Sequence, residues 1–123
     1  MCKILIVDDD ADLLFGMNAL FKKLKYETAT ASSRLEMMQK LQHFNAGVIL
    51  LDYYLEEDDG KQICSFLKAS NQYNHIPVII LSADPLIQRT ALKFGADGFL
   101  NKPFDINDLL IKITVLTEPL IAE

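Results

Sequence analysis

The chain reads as an α/β domain built on a doubly wound parallel sheet of five strands, each followed by a helix. Three observations point there. The runs Ile4–Val7, Val48–Leu51 and Val78–Leu81 are nearly continuous in apolar residues, as parallel strands covered on both faces require. Segments with apolar residues at helical spacing separate them. With 123 residues, half of them hydrophobic, the chain can bury one core but not two, so a single domain over residues 1–123 is expected.

The elements follow in order. After Ile4–Val7, residues Leu13, Leu14, Met17, Leu20, Phe21 and Leu24 define a first helix over Asp12–Lys25. The Thr- and Ala-rich stretch Glu27–Ala31 suits an exposed edge strand. Ser33 can cap a helix carrying Leu35, Met38, Leu41 and Phe44, because its hydroxyl can accept from a free first-turn N–H. After Val48–Leu51, a third helix runs over Lys61–Ser70 with Ile63, Phe66 and Leu67. The fourth follows Val78–Leu81, starting at Pro85, a residue suited to a first turn, and stopping at Gly95. Gly98–Asn101 supplies the last strand. The last helix begins near Asp105–Asp108, carries Leu109, Leu110, Ile113 and Leu116, and ends before Pro119. Right-handed crossovers leave few ways to connect this alternation.

Composition excludes several classes. The formal net charge is −5 and no basic run occurs, which argues against nucleic acid as a direct ligand. No apolar stretch approaches a membrane span, and Met1 leads straight into a strand without space for a signal peptide, so a cytoplasmic location is expected. Cys2 and Cys64 lack metal-ligand spacing and read as free thiols.

The chemistry concentrates in "KILIVDDDAD", where a strand runs into three consecutive carboxylates. Asp10 or Asp12 fits as a cap of the following helix. Open parallel sheets bind ligands beyond the carboxyl ends of their strands, where the winding reverses; in the order 2-1-3-4-5 that point lies between the first and third strands. Asp8 and Asp9 end the first strand and Asp52 ends the third, so three carboxylates should converge. Their repulsion should raise at least one carboxyl pKa, and a divalent cation would relieve it, with oxygen-only ligands favouring Mg²⁺. Ser82 and Lys102, at the ends of the fourth and fifth strands, would add a hydroxyl and an ammonium at the same rim.

In this order, "ILIVDDDADLL", "VILLDYYLEEDDG", "VIILSAD" and "GADGFLNKPF" resemble the receiver domain of two-component response regulators, of the chemotaxis-regulator type, over essentially the whole chain. The resemblance implies a flavodoxin-like fold with strand order 2-1-3-4-5 and five helices. It implies Asp52 as phosphoacceptor from a sensor histidine kinase or histidine phosphotransfer protein. Mg²⁺ (or Mn²⁺) would be held by Asp9, Asp52, the backbone carbonyl of Tyr54 and Asp8, the last often through water. Lys102 would pair with the carboxylate and then with the phosphoryl oxygens, Ser82 and the backbone N–H of Ala83 would bind the phosphoryl group, and Phe99 would be the aromatic switch. It also implies a common cis bond at Lys102–Pro103. Such a domain is no enzyme in the ordinary sense, although it promotes its own phosphorylation and dephosphorylation, and it acts on an output protein or domain that the sequence leaves unidentified.

The chain also departs from the family pattern. Where the family carries Met-Pro and a second Met before Asp-Gly, "LEEDDG" has Leu55, Glu56, Glu57 and Asp58. Loss of the proline should loosen this loop, and the acids should raise negative potential beside Asp52. The segment between Ser82 and Gly95 is shorter than the family norm. Tyr54 and Asp84 stand where the family tunes acyl-phosphate lifetime. Only Asp97 and Lys112 hint at the charge pattern of receivers that dimerise through the fourth helix, fifth strand and fifth helix. The closing "TEPLIAE" shows no DNA-binding or catalytic module, and a free-standing receiver and a fragment of a longer regulator are both compatible with it. A degenerate receiver that binds partners without phosphorylation is the alternative reading. An aspartate-based phosphatase fits neither the motif at Asp52 nor the length.

Overall fold

The computed structural model describes residues 2–118; the last helix ends at Thr117, before Pro119 as expected, while Pro119, the residues after it and Met1 lie outside the described residues. Strands β1 (Lys3–Val7), β2 (Glu27–Ala31), β3 (Val48–Asp52), β4 (Val78–Ser82) and β5 (Gly98–Asn101) alternate with helices α1 (Ala11–Lys23), α2 (Arg34–Leu41), α3 (Gly60–Ala69), α4 (Pro85–Ala91) and α5 (Ile106–Thr117). All strands are parallel, in the order β2-β1-β3-β4-β5. Ile4–Val7, Val48–Leu51 and Val78–Leu81 are fully or almost fully buried, which explains why their sequences are apolar at every position.

Side-chain alternation along the strands divides the core into two layers. Leu5, Val7, Ile49, Leu51, Val78 and Ile80 face α2, α3 and α4. Ile4, Ile6, Val48, Leu50, Ile79 and Leu81 face α1 and α5. No helix among the described residues is long and apolar enough to cross a membrane.

Helix starts follow local chemistry. Asp10 caps α1, accepting from Asp12 N and Leu13 N; Ser33 caps α2 by accepting from Glu36 N, and Asp105 caps α5 by accepting from Asn107 N. Pro85 opens α4, which runs into a 3₁₀ turn over Leu92–Phe94 and ends at Gly95 with φ 103°. Helix α1 stops two residues earlier than the periodicity suggests, because Lys25 turns the chain with φ 73°.

Four apolar assignments, in three helices, need correction. Leu35 is 69% exposed, and Met37 and Leu41 carry the inward face of α2. Phe66 is 41% exposed, while Cys64 joins Ile63 and Leu67 inside. On α1, Leu20 and Leu24 flank the core that Leu14, Met17 and Phe21 fill. In each helix the sequence offers more apolar residues than one face can bury. Cys2 and Cys64 are free thiols, the latter with its pKa pushed up to about 11 by burial.

The β3–α3 loop is tied down despite its lost proline. Gly60 N–H donates to the Tyr53 carbonyl at 2.6 Å, and Leu55 N–H to the Asp58 carbonyl at 3.0 Å. A Cβ at Gly60 would lie 2.9 Å from the Tyr53 ring and 3.1 Å from its Cα. The backbone atom cannot give way cheaply, so Gly60→Ala should cost about 1–3 kcal/mol, read as a lower urea midpoint at unchanged slope.

Candidate functional site

The strand registers bring the acids together. Val7 lies opposite Leu51, so Asp8 and Asp52 come next in adjacent positions, and by alternation both emerge on the α1–α5 side. Asp8 N–H still donates to the Ala31 carbonyl at 3.0 Å, which extends the ladder one residue and fixes its side chain. Carboxylate oxygens of Asp8, Asp9 and Asp52 all lie within 4.8 Å of one another. Asp8 is buried and Asp9 exposed, with Asp52 between.

Lys102 supplies the countercharge. The ladder carries on past β5 through Lys102 N–H to the Ser82 carbonyl at 2.9 Å, and the Lys102–Pro103 bond is cis. Lys102 Nζ donates to Asp8 Oδ2 at 3.1 Å and to Asp52 Oδ1 at 3.0 Å. The family resemblance implied a lysine paired with the phosphoacceptor; the structure divides it between two acids. Asp8 Oδ1 also accepts from Asp10 N at 2.9 Å.

Three carboxylates stand against one ammonium at a partly buried rim, and burial and the charged neighbours together shift the titrations there. Burial pushes the Asp52 carboxyl up; the Lys102 hydrogen bond opposes this, while Asp8 and Asp9 add to it. For Lys102, burial alone would lower the ammonium, but its bonds to Asp52 and Asp8 outweigh that and the net direction is up. Burial leads at Asp52, with the neighbouring acids adding to it, whereas the acids alone account for the direction at Lys102. An oxygen-only donor set with residual negative charge fits a hard divalent cation, for which Asp8, Asp9 and Asp52 could serve.

Ser82 is buried at the end of β4, and its Oγ accepts from Asp84 N at 3.0 Å. Ala83 beside it is exposed. Phe99 is half-buried on β5 opposite Ile80, packed against the layer that faces α2, α3 and α4. Tyr54 is 56% exposed; its hydroxyl donates to Asp84 Oδ2 at 2.9 Å, while Asp84 Oδ1 accepts from Leu86 N at 2.9 Å. Tyr54 and Asp84 were separate positions in the sequence; the structure joins them across the site.

The acids of the β3–α3 loop divide. Asp58 pairs with Arg34 of α2 at 3.3 Å, and Asp59 caps α3 by accepting from Gln62 N at 2.8 Å. Glu56 and Glu57 are exposed. Sequence reasoning missed Arg34 altogether, because its partner lies 24 residues away and no local pattern links them. Asp97 is engaged within the chain, accepting from Lys68 Nζ at 2.7 Å and Val78 N at 2.8 Å. That leaves only Lys112 of the charge pair that hinted at a dimer.

A doubly wound parallel sheet with a carboxylate–lysine cluster at the ends of its central strands is the arrangement of a receiver-type domain. The chain belongs to the response regulator receiver domain family, whose pattern it matches over residues 4–114. It is 29% identical over 115 residues to the transcriptional regulatory protein GltR of Pseudomonas aeruginosa, covering 92% of this chain and 48% of that one. It is 32% identical over 115 residues to the heme response regulator HssR of Staphylococcus epidermidis, covering 92% and 50%. The chain thus spans about half the length of these relatives. The chemotaxis response regulator CheY4 of Vibrio cholerae superposes with a TM-score of 0.84 at 26% identity, over 94% of this chain and 98% of that one.

The raised Asp52 pKa has a signed consequence. The folded state holds the proton more tightly than the unfolded one, so ionised Asp52 destabilises the fold above its folded pKa. That penalty fades as pH falls towards the unfolded value. Asp52→Asn should therefore raise Tm by a few degrees at neutral pH, and the gain should vanish on acidification below the ordinary carboxylate range. Melting curves across a pH series check this; a gain that grows on acidification would contradict it.

Proposed function

We propose that this domain receives a phosphoryl group on Asp52 from a phosphohistidine of a sensor histidine kinase or histidine phosphotransfer protein, and that the modified site switches a surface read by an output protein or domain. The observation that carries this reading is the hydrogen bond of Lys102 to Asp52 within a cluster of three carboxylates at the ends of β1 and β3.

Asp52 Oδ1 is held by Lys102, while no hydrogen bond from a described residue reaches Oδ2, so Oδ2 is the nucleophile. The new P–O bond forms as the donor's P–N bond breaks, and the donor imidazole leaves. Mg²⁺ (or Mn²⁺) would be held by Asp8, Asp9, Asp52 and the Tyr54 carbonyl, and would neutralise charge on the phosphoryl oxygens. Lys102 keeps contact with the carboxylate and turns its remaining N–H groups to the phosphoryl oxygens. The Ser82 hydroxyl accepts from Asp84 N–H, which leaves its own proton free for a phosphoryl oxygen, beside the backbone N–H of Ala83. Ser82 and Phe99 lie on the same side of the sheet by strand alternation, so a hydroxyl drawn towards the phosphoryl group gives Phe99 a reason to turn inward.

Intact mass after incubation with a phosphodonor and Mg²⁺ tests the reading. The wild type should gain one phosphoryl group and Asp52→Asn none. An adduct that survives the substitution displaces Asp52 from its role. Failure with every donor favours a phosphorylation-independent binding module instead.

The exposed Glu56 and Glu57 add a selectivity. Negative potential at the mouth repels a small anionic donor more than a protein docked over a larger surface. Phosphorylation by acetyl phosphate should therefore be slow at low ionic strength and accelerate with salt, more than phosphorylation by a cognate kinase does. Rates indifferent to salt for both donors would remove the idea.

A further inference from the structure

Arg34 opens α2, far from the acidic rim in sequence, yet its guanidinium is held on two sides by groups of the segment following Asp52. Its Nη1 donates to Asp58 Oδ2 at 3.3 Å, and its Cζ stands 4.6 Å from the centroid of the Phe66 ring on α3. The Asp58 side chain is only 15% exposed and the Arg34 side chain 37%, so the carboxylate end of this contact is shielded from solvent while the guanidinium end is partly open to it. The hydrogen bond fixes the position of Asp58, and the aromatic face fixes the plane of the guanidinium.

Asp58 passes this restraint to the backbone. Its carbonyl accepts from Leu55 N–H at 3.0 Å, and Tyr54 bridges to Asp59 in antiparallel fashion. The Leu55 N–H and the Tyr54 carbonyl belong to one planar trans amide, in which they point in opposite directions. Holding the N–H on Asp58 therefore aims the Tyr54 carbonyl away from the loop tip. From this chain of contacts we infer that Arg34 is a positioning residue for the Tyr54 carbonyl, and through it sets the affinity of the acidic site for a divalent cation. The inference rests on the reading of that site under the proposed function.

Charge and positioning give opposite signs, which makes the test decisive. Removing a nearby positive charge should by itself strengthen cation binding. If Arg34 acts by positioning, Arg34→Ala should instead weaken Mg²⁺ binding, by about three- to tenfold. That is below the roughly 10- to 100-fold seen when a group bonded directly to a metal ligand is lost. Arg34→Lys, which keeps the cation and can still reach Asp58, should recover most of the affinity. The measurement is Mg²⁺ titration of the unphosphorylated domain, followed by tyrosine fluorescence and calorimetry, with circular dichroism to verify that each variant is folded. Arg34→Ala binding Mg²⁺ as tightly as the wild type, or more tightly, overturns the positioning role. Asp9→Asn separates the two levels. If it loses the ion while Arg34→Ala does not weaken binding, only the role of Arg34 falls. If Asp9→Asn binds Mg²⁺ like the wild type, the ion lies elsewhere, and the site reading falls together with this inference.

Discussion

The reach of Lys102 Nζ to both Asp8 and Asp52 is the contact on which the site depends. It spans 94 and 50 residues of chain, so it can form only after four strands, β1, β3, β4 and β5, have paired in the correct order and register. The acids it restrains are mutually repulsive and partly buried, and they oppose folding. The opposing force comes from beneath. Strands β1 and β3 bury Ile4–Val7 and Val48–Leu51 completely, with each such aliphatic side chain contributing about 1.5–3 kcal/mol. A rigid apolar floor lets the chain hold like charges closer than water would tolerate. It also keeps them in place when the surroundings change charge.

Strand alternation gives the two faces of the sheet different work. Asp8 and Asp52 emerge on the side of α1 and α5, whereas Ser82 and Phe99 belong to the side of α3 and α4. The carboxylate proposed to accept the phosphoryl group and the hydroxyl that would sense its product thus sit at one rim but on opposite faces. A hydroxyl shared between Asp84 N–H and a new phosphoryl oxygen would transmit charge on one face into packing on the other. Asp84 reinforces that connection. It caps α4 through Leu86 N and accepts from the Tyr54 hydroxyl, joining the loop after Asp52 to the start of α4.

Much of this was legible in the sequence because its causes are local. Continuous apolar runs identify strands buried on both faces, and Asp, Ser and Pro at helix starts identify caps that need only a neighbouring N–H. The acid cluster was legible for a different reason: parallel topology fixes where strands end, and like charges at two adjacent ends demand an explanation. Contacts between distant segments were not legible. Leu35 and Phe66 have the right spacing for a core, but the inward faces were already filled by Met37, Leu41, Ile63, Cys64 and Leu67. Asp97 is a surface charge, but it also holds Lys68 and the start of β4, partners that no local pattern announces.

The loop after Asp52 shows how a departure from the family pattern can be absorbed. Four acidic side chains in succession, Glu56 to Asp59, would repel one another if all faced solvent together. The fold assigns them separate partners. Asp58 turns to Arg34, whose guanidinium lies over the Phe66 ring, Asp59 to the first turn of α3, and Glu56 and Glu57 to water. An ion pair over an aromatic ring restrains the loop tip where the family places a methionine. The exchange alters what the loop responds to, since an apolar contact is insensitive to nearby charge and a salt bridge is not. Through the Arg34–Asp58 pair the start of α2 is tied to the loop that follows Asp52 and, by way of the Phe66 ring, to α3.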